Sequence, residues 1–468
     1  MQTFLYIISG QALAVMLTLL TLFLVARVLR RQQRPGSSIA WILGIVLLPY
    51  VGIPAFIIFG GRKIHGLKKR KRRLHTGLQE APVRLLDFDN PAEDVLTSQS
   101  VHPPSGQNEV DFVSDGQEAY HKLIEMLEGA QRSIYVETYI LARDDVARTF
   151  VELLARKAGE GLDVRLLLDS YGSLGATGRF VQSIREAGGK VEKFMPLMPF
   201  RRNWSLNLRN HRKIFIVDCS VATIGGMNIG TKYMGPDSNP KRWLDTVAFV
   251  RGPSVLDLLE VFSTDWNFAS ADPLEFDRAC LSTPAESSAS GIVQVAASGP
   301  DVNGDPVYEA ILTSIYAVRE RVWLVTPYFV PGEELFRALL LQARMGRDVR
   351  LILPAKSNHW LADLARGHYL RALQSAGGKV YLCTHRMIHA KNIVFDEDTA
   401  VIGTLNIDMR SLYINFEVAV FVYSGPDVRN VAEWMEGLVD AAEPLGDRRP
   451  TRLQQIAEQL SFLVSPLL

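Results

Sequence analysis

The chain opens on two long runs without a charged residue. "FLYIISGQALAVMLTLLTLFLV" covers Phe4 to Val25, and "SIAWILGIVLLPYVGIPAFIIFGG" covers Ser38 to Gly61. As a helix rising about 1.5 Å per residue, the first run reaches roughly 30 Å, the thickness of a hydrocarbon core. The second contains Pro49 and Pro54, which kink or interrupt a helix, so it either spans or re-enters. A cleaved leader fits poorly, because Met1-Gln2-Thr3 carries no basic segment and no small-residue cleavage site follows. These two segments, about 4–28 and 38–61, predict a membrane anchor over residues 1–62.

Residues 63–107 read as a basic stretch and a mixed, Pro-containing linker. Beyond them, short β-branched runs alternate with amphipathic helical stretches, the pattern of an α/β fold. The pattern also repeats. "SIYVETYI" (Ser133 to Ile140) is answered by "RVWLVTPYFV" (Arg321 to Val330), and "DVRLLLDSYGS" (Asp163 to Ser173) by "DVRLILPAKSN" (Asp348 to Asn358). "AGGKV" occurs at Ala187 and again at Ala376. A period this long is a domain duplication and not a solenoid. It predicts two tandem α/β domains, 108–288 and 289–468, related by a pseudo-two-fold axis that brings equivalent strand ends together.

Composition sharpens this picture in three ways. With 468 residues, 47% hydrophobic and 22% charged, the chain can bury a large core, and global disorder is excluded. The net charge is only +1, so any attraction to anions is local. One local site is "KKRKRR", Lys68 to Arg73, against the lighter Arg27, Arg30, Arg31 and Arg34 between the hydrophobic runs. If both runs span, the heavier cluster places the N-terminus and everything after Gly61 on the cytoplasmic side, against anionic lipid. The three cysteines form no CxxC and no even framework, which points to buried thiols in a reducing compartment.

Within the repeat lies the chemistry. "NHRKIFIVD" (Asn210 to Asp218) and "IHAKNIVFD" (Ile388 to Asp396) share the spacing His-x-Lys-x-x-x-x-Asp. On a strand, His211 and Lys213 share a face, as do His389 and Lys391. Asp218 and Asp396 fall at the turn that follows, so within the motif they take a structural role there. "GGMN" then brings Asn228 and "GTLN" brings Thr404 and Asn406, groups able to bind phosphate; Gly226 stands where Thr404 has a hydroxyl. Two lysines and two amides make an anion pocket, and two imidazoles can serve as nucleophile and general acid for a phosphodiester. No carboxylate cluster suggests a metal, and no cofactor is required. A nucleophilic imidazole needs its tautomer held by a carboxylate. Asp245 in "RWLD" and Glu417 in "NFEV" are the candidates, expected to orient His211 and His389 respectively.

The doubled HxKxxxxD with its trailing Gly and Asn resembles the phospholipase D superfamily. The two N-terminal runs, "TPYFVP", "NFEV" and the terminal "SPLL" resemble bacterial cardiolipin synthases, and the likeness covers essentially the whole chain. The resemblance implies a phosphatidyltransferase in the bacterial inner (cytoplasmic) membrane, multi-pass, with catalytic domains on the cytoplasmic side. It implies that one phosphatidylglycerol gives its phosphatidyl group to a histidine, His211, releasing glycerol. The hydroxyl of a second phosphatidylglycerol, with His389 as acid/base, then takes it to form cardiolipin. An anionic bilayer is the implied partner, and nucleic acid is not; a homodimer is compatible with the sequence without being argued by it. A membrane-bound phospholipase D that uses water or another alcohol is the alternative. Tyr328 and His359 are candidates for headgroup contact, and "MPLMPFRRNWSLNLR" (Met195 to Arg209) for dipping into the lipid interface.

Overall fold

The computed structural model describes residues 2–30, 35–59, 88–176, 178–198, 203–274, 289–302, 304–446 and 450–464. The "KKRKRR" cluster and the terminal "SPLL" lie outside them. The chain divides into two compact units, Met1–Ile64 and His65–Leu468.

The first unit is helical. Helix α1 runs Gln2–Arg30, and the second hydrophobic run is broken into α2 (Pro35–Leu47) and α3 (Pro49–Phe59). Pro49 opens α3, because proline lacks the N–H that would continue α2. The chain folds back sharply there: a Cβ on Gly52 would lie 2.0 Å from the Gly44 carbonyl oxygen, so only glycine permits the approach. Leu24, Val28, Ile45, Ile53 and Phe56 form a small core. Many apolar side chains face outward, including Leu19, Leu22, Phe23, Leu47 and Val51. Among the described residues, no helix is both long and apolar enough to cross a membrane.

The second unit is built on one 15-stranded sheet. In the first repeat the strands are β1 (Ser105–Val113), β2 (Ser133–Thr138), β3 (Asp163–Asp169), β4 (Lys190–Phe194), β5 (Ile214–Val217), β6 (Val221–Gly225) and β7 (Val247–Arg251). In the second they are β8 (Gly291–Ser298), β9 (Arg321–Val325), β10 (Phe329–Val330), β11 (Asp348–Pro354), β12 (Lys379–Cys383), β13 (Asn392–Phe395), β14 (Thr399–Gly403), β15 (Ile407–Asp408), β16 (Glu417–Val422) and β17 (Glu443–Pro444). From the centre the order runs β1-β7-β6-β5-β2-β3-β4 one way and β8-β16-β14-β13-β9-β11-β12-β17 the other, while β10 and β15 pair in a separate two-stranded sheet. β1 and β8 pair antiparallel at the centre, so the pseudo-two-fold axis passes between them. The repeats therefore share one continuous sheet and do not form two free-standing domains.

Each repeat carries parallel crossovers, β2–β3–β4 and β9–β11–β12. The central strands are buried on both faces, which is why "SIYVET" and "RVWLV" read as near-continuous apolar runs. The linker reading fails over part of 63–107. A helix, Pro91–Ser98, is capped by Asn90, whose Oδ1 accepts from Ala92 N at 2.9 Å. Its Ala92 and Leu96 are fully buried in the main core. The cysteines also depart from expectation: Cys383 is a buried free thiol, but Cys219 is disulfide-bonded.

Candidate active site

Both motifs sit on extended lead-ins just ahead of β5 and β13, rather than inside those strands. Each lead-in is tied to the opposite repeat. His211 N–H donates to Phe416 O at 2.8 Å and Phe416 N–H to Arg209 O at 2.9 Å. In the mirror arrangement, Leu244 N–H donates to Met387 O at 2.8 Å and His389 N–H to Leu244 O at 2.7 Å. Phe416 precedes Glu417, and Leu244 precedes Asp245.

That pairing corrects the expected partners. Asp245 Oδ2 lies 2.6 Å from His389 Nδ1, and Glu417 Oε1 lies 3.1 Å from His211 Nδ1. Each carboxylate serves the histidine of the other repeat, because the backbone bridge carries it across the axis. Both carboxylates are fully buried. The two pairs are unequal: the Asp245 contact is a well-formed hydrogen bond, while the Glu417 contact is an ion-pair approach with poor alignment. With Nδ1 turned to a carboxylate, Nε2 is the nitrogen left for substrate in both rings.

The aspartates that close the motifs stand at the far end of β5 and β13, five residues or about 16 Å of strand from the lysines. Asp218 accepts from the backbone N–H of Gln131 (2.8 Å), Arg132 (2.7 Å) and Ser133 (2.8 Å). Asp396 accepts from Arg319 (2.9 Å), Glu320 (2.8 Å) and Arg321 (2.9 Å). Both hold left-handed turns, at φ 53° and 47°. Although they belong to the motif counted as catalytic, this geometry gives them the structural turn role that the spacing predicts: they stitch β2 and β9 to the hairpin.

Thr404 is a second correction. It is fully buried, and its Oγ1 donates to Glu417 Oε2 at 2.5 Å and accepts from Val418 N at 3.1 Å, so it braces the carboxylate and does not touch phosphate. At the equivalent position a Cβ on Gly226 would meet Asp245 Oδ1 at 2.1 Å, so glycine is required there by space. Asn228 is held by its Oδ1, which accepts from Ile140 N at 3.1 Å. Asn406 does line the site; its Nδ2 donates to Ser411 Oγ at 3.2 Å, and its buried Oδ1 has no partner.

His211 and Asn406 open on a cavity of about 440 Å³ that Tyr139, Tyr328, His359, Arg209 and Arg410 help to line. Tyr139 packs on His211 with ring centroids 4.1 Å apart, while Tyr233 (5.2 Å) and Trp243 (5.4 Å) pack on His389. Tyr139 and Arg410 escaped the sequence reading, and Arg209 entered it only as the last residue of the Met195–Arg209 stretch. The repeat marks none of them: Tyr139 is one residue out of register with Tyr328, which aligns with Ile140, and the arginines are not repeated. In the Met195–Arg209 stretch, Met198, Trp204 and Leu206 are exposed, and Leu206 reaches the cavity rim.

The fold and the site can now be set beside known proteins. The family described as "Cardiolipin synthase, PLD-like domain" matches residues 123–266 and 311–439, and "Phospholipase_D-nuclease N-terminal" matches 19–61. The cardiolipin synthase of Alkalihalophilus pseudofirmus is 30% identical over 97% of this chain and 94% of its own. That of Geobacillus thermodenitrificans is 31% identical over 93% and 90%. The chain belongs to the cardiolipin synthase family. A phosphatidylserine synthase crystal structure from Haemophilus influenzae shares the fold, with TM-score 0.60 at 17% identity, covering 81% of this chain and all of that one.

In this family member the electrostatics follow from burial. Lys213 Nζ donates to His211 O at 2.7 Å, and Lys391 Nζ lies 3.0 Å from His389 Nδ1. Burial pushes Lys213 down to about 8 and Lys391 to about 7, against the pull of Glu417 and Asp245. Burial also lowers His211, though Glu417 opposes it, and burial with the Lys391 charge takes His389 to about 4. Burial works against the charges on Asp245 and Glu417, but the histidines and lysines outweigh it and hold both carboxyls below their usual range. Burial thus leaves these groups reluctant to hold protons, and the negative charge of a phosphate beside them raises the affinity of lysines and histidines for protons.

Proposed function

We propose that this protein is a cardiolipin synthase that joins two phosphatidylglycerols, with His211 as nucleophile and His389 as acid/base. The observation that carries the reading is the pair of buried carboxylate–histidine–lysine sets brought together across the pseudo-two-fold axis. In the first step His211 Nε2 attacks phosphorus, the bond to the glycerol oxygen breaks, and His389 gives that oxygen its proton. In the second, a hydroxyl of another phosphatidylglycerol passes its proton to His389 and attacks phosphorus, and the P–N bond breaks. Lys213 and Lys391 stabilise the charge on the phosphoryl oxygens in both steps. Purified protein in vesicles of phosphatidylglycerol alone should yield cardiolipin and glycerol, and His211→Ala and His389→Ala should yield neither. Phosphatidic acid without cardiolipin would refute the synthase reading.

The first unit anchors this chemistry to its substrate. Its outward apolar side chains suit lipid and not water. At 13 and 11 residues, α2 and α3 are each far shorter than the ~20 residues a span needs, and they fold back on each other. The reading that fits takes the uncharged run Phe4–Val25 as one span, on its sequence, followed by a re-entrant hairpin in place of a second span. Arg27, Arg30, Arg31, Arg34 and the Lys68–Arg73 cluster then share one side with the catalytic unit, which satisfies the positive-inside rule more fully. A reporter fused ahead of Met1 should map outside the cytoplasm, and one after Leu468 inside; both inside would restore two spans.

A further inference from the structure

We propose that Arg209 and Arg410 form a second phosphate subsite, which holds the acceptor phosphatidylglycerol by its own headgroup phosphate while the donor phosphate occupies the histidine–lysine centre. The proposal rests on the synthase reading above. Transfer between two lipids poses a problem that hydrolysis does not. When the new bond forms, two phosphates lie one glycerol bridge apart, and each carries a negative charge. The histidine–lysine centre answers only one of them.

The cavity wall beside His211 has the means to answer the other. Arg209 comes from the first repeat and Arg410 from the second, and both line the same cavity. Arg410 is aimed by neutral acceptors alone: its Nη1 donates to Asn207 Oδ1 at 2.9 Å and its Nη2 to Asn207 O at 2.6 Å. Among the described residues no carboxylate lies within ion-pair distance of it; Asp408, which lines the same cavity, acts on it from beyond that range, with its Oδ1 engaged by Ser411 N at 2.7 Å. Arg209 Nη1 stands 3.6 Å from Asp169 Oδ1, a loose pair, and donates to Met195 O at 3.3 Å; its Nη2 donates to Ser205 O, and its buried Nε has no partner. A buried guanidinium donor left unmatched costs stability, and two cations sharing one wall cost more, unless an anion joins them. Guanidinium is also the group whose planar fork matches a phosphate.

The placement is lopsided, as transfer between two lipids requires. Met387 stands where Arg209 does relative to the other histidine, and Lys232 stands where Arg410 does relative to the other asparagine. Met387 carries no charge, and Lys232 points its Nζ over the Trp243 ring at 5.3 Å. The catalytic groups are duplicated but the arginine pair is not, so the site offers one extra phosphate position and not two. Seated there, the acceptor presents its terminal glycerol hydroxyl to the phosphohistidine. That oxygen forms the new P–O bond, the P–N bond to His211 breaks, and the proton passes to His389.

Free glycerol is the discriminating probe, because it has the hydroxyl and lacks the phosphate. Full-length protein in phosphatidylglycerol vesicles, supplied with labelled glycerol, performs two reactions in one tube: cardiolipin formation and label exchange into phosphatidylglycerol. Arg410→Gln should lower the ratio of cardiolipin formed to glycerol exchanged by about tenfold or more, and Arg410→Lys should recover part of it. An unchanged ratio, whether both reactions persist or both fall in parallel, would overturn the subsite. Wild-type protein that exchanges glycerol but makes no cardiolipin would overturn the synthase reading itself, and that result needs no variant.

Discussion

Because each carboxylate crosses the axis, the variants of one repeat should behave like the histidine of the other. Consider Asp245→Asn. The Asp245 carboxylate is fully buried, 2.6 Å from His389 Nδ1, and Lys391 Nζ stands 3.0 Å from the same nitrogen. Removing the negative charge leaves His389 facing only the lysine, so its protonated form is lost and its tautomer is no longer held. Breaking a buried pair on one side costs about 3–5 kcal/mol. Expressed in the transition state, that is roughly 10²–10⁴ in rate, the range of a positioned acid or base. The assay compares ordinary phosphatidylglycerol with a phosphatidyl ester of a good leaving group, such as p-nitrophenol, and records the first release. A good leaving group needs no acid. Asp245→Asn and His389→Ala should therefore regain most of the first-step rate on the activated ester, while Glu417→Gln and His211→Ala stay slow on both substrates. If Glu417→Gln were rescued and Asp245→Asn were not, each carboxylate would be serving its own repeat and the crossed pairing would be refuted.

Three further outcomes follow from the geometry. Asp218→Ala removes acceptors for three backbone N–H groups at about 1 kcal/mol each, so the melting temperature should fall by the equivalent of ~3 kcal/mol while the turnover of folded protein holds; a lost turnover at unchanged melting would return Asp218 to the chemistry. Thr404→Val should slow the reaction by the loss of its hydrogen bond to Glu417, about tenfold, and Thr404→Ser should restore it; equal loss in both would mean that packing and not the hydroxyl matters. Lys391 and Lys213 are charged only below about 7 and about 8, so the apparent KM for lipid should rise as pH climbs through that window at constant ionic strength; a KM flat to pH 9 would contradict it.

The doubled motif was legible because its histidine, lysine and turn aspartate lie along one short extended stretch, where period two alone sorts their faces. The turn role of Asp218 and Asp396 came from the same periodicity. The crossed carboxylates were not legible. Asp245 and Glu417 stand at matching distances after their motifs, and only the Phe416 and Leu244 backbone bridges decide which histidine each one meets. Thr404 and Gly226 misled for a related reason: a hydroxyl beside a phosphate-binding loop reads as a ligand until the buried carboxylate it braces is in view. The Pro91–Ser98 helix looked like linker because eight residues show too little periodicity to reveal a face packed by Ala92 and Leu96.

The repeats solve the same packing problem with different chemistry, and this asymmetry distinguishes the two histidines. Beneath His211, Asn210 Nδ2 donates to Glu137 and, at 3.1 Å, to Asp265. Arg212 donates to Asp265 Oδ2 at 2.6 Å, to Glu417 O at 3.0 Å and to Ser298 O at 3.1 Å. At the equivalent positions beneath His389 stand Val325, Ile388, Ala390 and Leu438, all buried. Directional bonds fix a lead-in more tightly than apolar contacts, and Arg212 fixes it to the very residue, Glu417, that faces His211. A nucleophile must hold its attack line through both steps, whereas an acid/base moves only a proton, so the rigid side suits His211. The network should be an aid to catalysis rather than to stability. Arg212→Met alone strips a buried carboxylate of its partner and should cost about 3–5 kcal/mol of stability. Arg212→Met with Asp265→Leu, which imitates the apolar second repeat, should recover most of that loss in thermal melts. Turnover should stay depressed in the double variant, because Glu417 has lost its tether. Full recovery of turnover along with stability would show that apolar packing positions His211 equally well, and the asymmetry would then have no bearing on which histidine attacks.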